Sequence, residues 1–487
     1  MANVSPVFGT IKPSQKQQPL ESNYLNFTDG SGKDFAQQYL PEIYEQEVER
    51  YGNRTLSGFL RMVGAEMPMS SDQVVWSEQN RLHVAYNDVT CASATTLTFV
   101  LNASNTAVPS TFTANVISPG QTLVVMNPAT GTELKVLVTA SVDTSSVLAT
   151  ITVATYTQAS LTSGAVSFSG ATNLKIFVYG SEFIKGSTDA TIRSITPQFT
   201  QFSNSPIIIK SKYAINGSDT AQIGWVEVAT EDGTGGFLWY LKAESETRLR
   251  FEDYLEMSVI EGELSAASSG VAGLTPATGI TYKGTQGLFA AIKQRGNVLN
   301  NFTAAAGLSD FDSILKNLDT QGAIEENMFF LNRATSLDFD DMLASLSQGS
   351  NGGVGYGLFE NSEQMSLNLG FTGFRRGSYD FYKTDWKYLN DASTRGGMAN
   401  TSIDGVLIPA GTSTVYDQQL GTNIRRPFLH VRYRASQADD RKMKSWITGS
   451  VGGAYTSDLD AMEVHFLSER CLVTQAANNF VLFTASV

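Results

Sequence analysis

Cysteine and histidine are nearly missing from this chain of 487 residues. There are two of the first, Cys91 and Cys471, and three of the second, His83, His430 and His465. Two distant cysteines give neither a disulfide framework nor a cysteine-rich metal site, although a single bridge between them stays an open alternative. The histidines fall on separate predicted strands with no H-x-x-x-H spacing, so they read as structural side chains rather than ligands. Charge is scarce as well: 17% of residues against about a quarter in an average soluble chain. The balance is acidic, with net charge −13 and pI near 4.8, which argues against a dedicated nucleic-acid binder. No run of about eighteen apolar residues occurs, so no helix is expected to span a membrane. The opening MANVSPVFGTIKPSQKQQ lacks the apolar core of a signal peptide, and export by that route is not expected. No G-x-S-x-G elbow supports a serine hydrolase, and the glycine-rich stretch from Gly349 to Gly357 has no Gly-Lys-Ser/Thr to cradle phosphate.

Hydrophobic residues at 42% suffice for real cores, and the length predicts two to four domains. The stretch Phe237–Leu264 has no proline and no glycine before Gly262. Leu238, Leu241, Leu249, Leu255 and Val259 recur near a 3.6-residue period, which predicts one helix roughly 40 Å long. Glu244 and Glu246 sit four residues before Arg248 and Arg250, the favourable order for exposed ion pairs. No chemistry is visible in it.

Residues 1 to about 33 are polar with scattered apolar anchors, and read as an extended arm laid across a neighbouring surface. Helical signals follow to Val63. From about Pro68 the period changes to two, and between Thr90 and Tyr179 the only charges are Glu133, Lys135, Asp143 and Lys175. Short β-branched runs there alternate with turn signals, predicting a small sandwich or barrel inserted as a module whose Ser/Thr-rich faces meet neighbours. Period two resumes from Ile192 to Ile215. After the long helix, LFAAIKQRGNVLNN and FDSILKNLDTQGA read as amphipathic helices. NMFFLN reads as a buried strand, and SLDFDDMLASLSQG as a helix with Ser336 or Asp338 near its cap. FYKTDW, GVLIPAG and FLHVRYR read as strands, and the last stretch as two strands separated by Gln475 to Asn478.

Asp338, Asp340 and Asp341 are acidic neighbours without the spacing of a calcium loop, and read as helix-start residues. The one local basic excess runs from Arg425 to Lys444. Within it His430, Arg432 and Arg434 share one strand face opposite Leu429, Val431 and Tyr433. They form a candidate basic face toward DNA or a neighbour, against the plainer reading of a solvated strand. No catalytic, cofactor-binding or metal-binding residues are assigned.

The order of arm, helix, hairpin, long helix, α/β subdomain and closing strands resembles the major capsid protein of tailed double-stranded DNA phages. That is the Hong Kong 97-like fold. MANVSPVFGTIKPSQKQQPLESNYLNF and QVVWSEQNRLHVAYND look more specifically like capsid proteins of crAss-like phages. The resemblance implies an α+β fold with an N-terminal arm at 1–38 and peripheral-domain helices at 39–67. An E-loop region at 68–223 would carry a β-rich insertion at 90–180. The peripheral domain at 224–285 would contain a spine helix at 237–264, followed by an axial domain at 286–424 and closing strands at 425–487. It also implies a non-enzymatic protein that assembles as hexamers and pentamers of an icosahedral phage head in the host bacterial cytoplasm. Its partners would be decoration and head-fibre proteins, a portal at one vertex and non-specifically contacted double-stranded DNA, with no cofactor and no membrane. No cleaved scaffolding segment and no crosslinking Lys/Asn pair can be assigned, which implies a separate scaffold or none, and noncovalent assembly. The alternative from another class is a secreted β-rich hydrolase or a receptor-binding adhesin.

Overall fold

A computed structural model describes residues 66–79, 85–101, 115–144, 148–186, 192, 199–218, 227–229, 235–274, 281–300, 308–321, 324–348, 373–397, 403–416, 423–451 and 455–484. The expected arm, the helices before Val63, the glycine-rich stretch and His83 lie outside them. The chain divides into two compact units, Ser77–Gln201 and the remainder.

The chain enters on β1 (Glu66–Met69) and β2 (Val74–Gln79) and then builds the smaller unit. This unit holds β3 (Ala85–Cys91), β4 (Thr96–Val100), β5 (Gln121–Met126), β6 (Glu133–Asp143), β7 (Leu148–Thr155) and β8 (Leu174–Ser181). They close as a barrel in the order β3-β4-β7-β6-β5-β8. Alternation explains the closure: Leu97 and Phe99, Leu123 and Val125, Val136 and Val138, Ile151 and Val153, and Leu174 and Ile176 all point inward and are buried. Burying each such side chain contributes about 1.5–3 kcal/mol. A register shift between Tyr86 and Val89 bends β3, and Asp88 supplies the left-handed backbone there (φ 54°) that short polar side chains tolerate. Closure also leaves the barrel itself without an unpaired sheet edge, where there is little charge to protect one. The barrel begins five residues earlier than the sequence reading placed the module, because β3 is needed to seal β8.

The larger unit resumes with β9 (Phe199–Asn204), which pairs with β2, and β10 (Ile207–Asn216). A short hairpin of β11 (Glu227–Ala229) and β12 (Gly235–Phe237) leads into α1 (Leu238–Glu261). Next come α2 (Leu288–Arg295), β13 (Asn297–Asn300), α3 (Leu308–Gln321), β14 (Glu326–Leu331) and α4 (Arg333–Gln348). The chain continues through β15 (Gly373–Arg376), β16 (Tyr379–Asp385), the single turn α5 (Lys387–Asn390), β17 (Gly405–Pro409), and the hairpin of β18 (Thr412–Tyr416) and β19 (Asn423–Pro427). It ends with β20 (Leu429–Arg434), β21 (Lys444–Gly449), β22 (Ala461–Thr474) and β23 (Val481–Thr484).

Two sheets organise this unit. In the first, the long strand β22 pairs with β10 along one edge, and with β20 and then β21 in succession along the other. Strand β1 adds in parallel outside β20. Helix α1 packs on one face through Phe251 and Leu255 against Val464 and Phe466. The helix is 24 residues long. Leu255 and Val259 of the expected stripe are buried, together with Phe251, Glu256 and Ile260, whereas Leu249 is exposed. Arg248 reaches forward to Glu252 at 3.5 Å.

The second sheet has the order β13-β23-β17-β14-β16-β15, with β13–β23 and β14–β16 parallel. Both of its faces are covered. Phe329, Leu331, Leu407, Val481 and Phe483 meet Phe311 of α3 and Phe339 of α4 on one side. Phe330, Val406, Ile408 and Leu482 meet Phe289 and Ile292 of α2 and Val259 and Ile260 of α1 on the other. A strand covered on both faces reads as an unbroken apolar run, which is why GVLIP and NMFFL show no alternation.

Two expectations change here. LFAAIKQRGNVLNN is not one helix: α2 stops at Gly296, and the next four residues pair with Val481–Thr484. A Cβ on Gly296 would lie 2.8 Å from the Ala477 carbonyl oxygen, so the close approach requires glycine. Helix α4 starts at Arg333 and is capped by Asn332, whose Oδ1 accepts the Thr335 amide at 2.7 Å, rather than by Ser336 or Asp338.

Candidate functional site

The sequence singled out β20, and its neighbours decide what its side chains can do. His430 is 1% exposed, and its Nδ1 donates to the Pro427 carbonyl at 3.0 Å, since a carbonyl can only accept. It does not lie on an open basic face. Arg432 Nη1 donates to the Pro68 carbonyl at 3.3 Å, across the parallel pairing with β1. Arg434 donates Nε to Glu469 at 2.8 Å and Nη1 to the Ser70 carbonyl at 3.1 Å, and Nη2 pairs with Asp72. Each of the three is therefore tied to the chain that flanks it.

Arg441, Lys442 and Lys444 are neutralised in the same way. Glu469, 5% exposed, also faces Arg441 at 3.1 Å, an ion pair without the alignment of a hydrogen bond. Glu66 on β1 pairs with Lys442 and lies 3.9 Å from Arg470, while Lys444 pairs with Asp439 at 2.7 Å. Buried Arg470 adds hydrogen bonds to Ser468 Oγ and the Lys442 carbonyl, both 3.0 Å. This is an ion network that fastens β1, β20 and the β21 entry to β22. Glu66 and Glu469 escaped the sequence reading because nothing local marks them; one lies about 365 residues before its partner strand β20.

Asp340 and His465 are occupied as well. Asp340 of the acidic group pairs with Lys383 of β16, which also donates to the Ser336 carbonyl at 3.0 Å. His465 stacks on Trp446 with ring centroids 5.2 Å apart, and its Nε2 lies 2.7 Å from Thr448 Oγ1 and 3.4 Å from Glu463. Cys91 and Cys471 are both free and buried, which closes the disulfide alternative. Burial pushes the Cys471 thiol up to about 12 against the pull of Arg432, so it is not a nucleophile near neutral pH. Among the described residues no group of three or more His, Cys, Asp and Glu side chains could hold a metal ion, and no helix is long and apolar enough to cross a membrane.

No family model and no curated protein matches the sequence. Solved phage structures do resemble it. A Microbacterium phage Oxtober96 structure is 9% identical, with 95% of this chain and 100% of that one covered and a TM-score of 0.40. A Mycobacterium phage Ogopogo structure is 13% identical over 62% of this chain and 83% of that one, at 0.33. The capsid structure of cyanophage P-SCSP1u is 10% identical over 63% and 80%, at 0.32.

One further cluster ends α1. Glu261 receives Arg395 Nη2 at 2.9 Å and the Tyr388 hydroxyl at 2.5 Å, joining the helix to α5 and the turn that follows it. Burial pushes the Glu261 carboxyl up, but Arg395 and Tyr388 together outweigh it and hold the group below its ordinary value of 4.5. A depressed carboxylate contributes stability that is present above the unfolded value and lost as pH falls through the folded one. Glu261→Gln should therefore be less stable than the parent at neutral pH. The difference should shrink to nothing as urea-unfolding midpoints are followed from pH 7 to below 4.5; a constant gap would assign the loss to shape rather than charge.

Proposed function

We propose that this chain is a structural shell protein, the major capsid protein of a tailed phage. It would assemble as hexamers and pentamers around non-specifically contacted double-stranded DNA, with decoration proteins and a portal as partners. The observation that supports this best is the order of parts along the chain. A barrel stands between paired strands β2 and β9, a 24-residue helix lies on the long strand pair β10–β22, and a separate six-stranded sheet carries its own helices. This order supports the layout that the resemblance of MANVSPVFGTIKPSQKQQPLESNYLNF and QVVWSEQNRLHVAYND to crAss-like capsid proteins implies. On this reading residues 68–223 are the E-loop region, 237–264 contains the spine helix and 286–424 forms most of the axial domain. The DNA contact would be salt-sensitive, because phosphate contacts weaken steeply as salt rises.

Electron microscopy of the protein expressed with its phage's other head genes tests the reading directly. Closed particles of regular size are expected, and a monodisperse monomer under all conditions would overturn it. The barrel should be dispensable for folding but not for shell strength. Excising residues 80–198 with a Gly/Ser linker, which keeps β2 and β9 whole, should leave a protomer that still unfolds cooperatively, while its particles fall apart at lower temperature. Cutting at 91 and 179 would instead sever β3 and β8, leaving unpaired barrel strands behind.

A further inference from the structure

The barrel has two unlike walls. Across β3, β4 and β7 the outward register rows are threonines: Thr90 opposite Thr98 opposite Thr150, and Thr96 opposite Thr152. Across β6, β5 and β8 they are mixed: Glu133 opposite Met126 opposite Lys175, and Lys135 opposite Val124 opposite Phe177. Phe177 and Tyr179 stand two residues apart on the outer side of β8, 40% and 49% exposed. Val124, opposite Phe177, shares that outward register but is only 7% accessible. Tyr156 joins this wall from the end of β7: its amide donates to the Lys135 carbonyl at 3.3 Å and its hydroxyl to Glu182 at 2.5 Å.

The charges are distributed to match. Of the four charged residues between Thr90 and Tyr179, three lie on this wall and only Asp143 does not. Glu133 and Lys175 flank Met126 in register, and Lys135 stands beside Val124. With Glu182 the rim carries two carboxylates and two ammonium groups around an apolar centre. An apolar core with a polar rim is the anatomy of a protein interface. A rim balanced in sign does not attract phosphate or a strongly charged surface. Turned through a two-fold axis, it opposes acid to base and so complements itself.

We propose that the β6–β5–β8 wall is a self-association surface that meets the same wall of a second copy of this chain. The proposal uses the shell reading only in that assembly brings many copies together. It also reverses the expectation of Ser/Thr-rich contact faces, leaving the threonine wall to solvent. The two native cysteines are buried, so a cysteine placed on a wall is a clean reporter. The full-length protein carrying Tyr179→Cys, and separately Thr98→Cys, would be treated with a short bismaleimide both as soluble protein and after assembly, with dimer read on a denaturing gel. Tyr179→Cys should crosslink to itself about tenfold more than Thr98→Cys, a preference worth about 1.4 kcal/mol. Adding Phe177→Lys should bring the yield down to the Thr98→Cys baseline, with an unchanged thermal transition showing that the barrel is intact. Equal yields at the two positions, or a yield that Phe177→Lys leaves unchanged, would overturn the proposal. Regular particles with baseline crosslinking would do so while sparing the shell reading; no particles and no crosslinks would remove both.

Discussion

Glu469→Ala is expected to destabilise the larger unit by about 3–5 kcal/mol, the usual cost of removing one partner from a buried ion pair. The carboxylate is buried and faces both Arg434 Nε and Arg441 Nη1. Without it, two guanidinium groups lose their shared counter-charge in a place water reaches poorly. Asp72 cannot compensate, because its side chain is 80% exposed. Asp72→Ala should accordingly cost no more than about 1 kcal/mol. Urea unfolding of the two variants side by side provides the measurement, and equal losses would mean that the network stabilises by surface attraction rather than by buried pairing.

Asn204→Ala should cost a similar amount, about 3–5 kcal/mol, through hydrogen bonds alone. The side chain is 2% exposed, and its Nδ2 donates to the Gln286 carbonyl at 2.9 Å and the Leu472 carbonyl at 2.6 Å. Its Oδ1 accepts the Gln286 amide at 2.8 Å and the Thr285 hydroxyl at 3.3 Å. One amide thus knits β9, the entry to α2 and β22, three segments that share no backbone ladder. Truncation strands buried carbonyl and amide groups, each worth about 1–3 kcal/mol when left unmade. Hydrogen exchange at the Gln286 amide should rise by orders of magnitude in the variant. A loss under about 1 kcal/mol would show that water enters and replaces the side chain.

What was legible in the sequence is what depends on local period. Helix α1, the barrel strands and the runs MEVHFLSERCLVT and NFVLF each follow from the spacing of apolar residues within their own length. What was not legible depends on partners far along the chain. That Phe251 rather than Leu249 joins Leu255 in the buried stripe of α1 is fixed by Val464 and Phe466, more than two hundred residues away. NVLN became a strand because Val481–Thr484 offered it a parallel edge. The basic excess around β20 looked like a face because its neutralising groups, Glu66, Asp72 and Glu469, lie outside it in sequence. Asn204 carried no signal at all, since an asparagine before Ser205-Pro206 reads as an ordinary turn.

Strand β22 also sets a clock on biosynthesis. Its partner β10 emerges from the ribosome about 250 residues earlier, which at about 5–20 residues per second is a delay on the order of 10–50 s. During that interval the barrel, whose strands are all nearby in sequence, can close on the nascent chain, whereas β10 waits for the strand it pairs with. The first sheet of the larger unit can form only when Ala461–Thr474 arrives and β10, β20 and β21 dock on it together. A chain truncated before β22 therefore lacks the strand on which the first sheet of its larger unit is built, and is left with a closed barrel and an unfinished sheet.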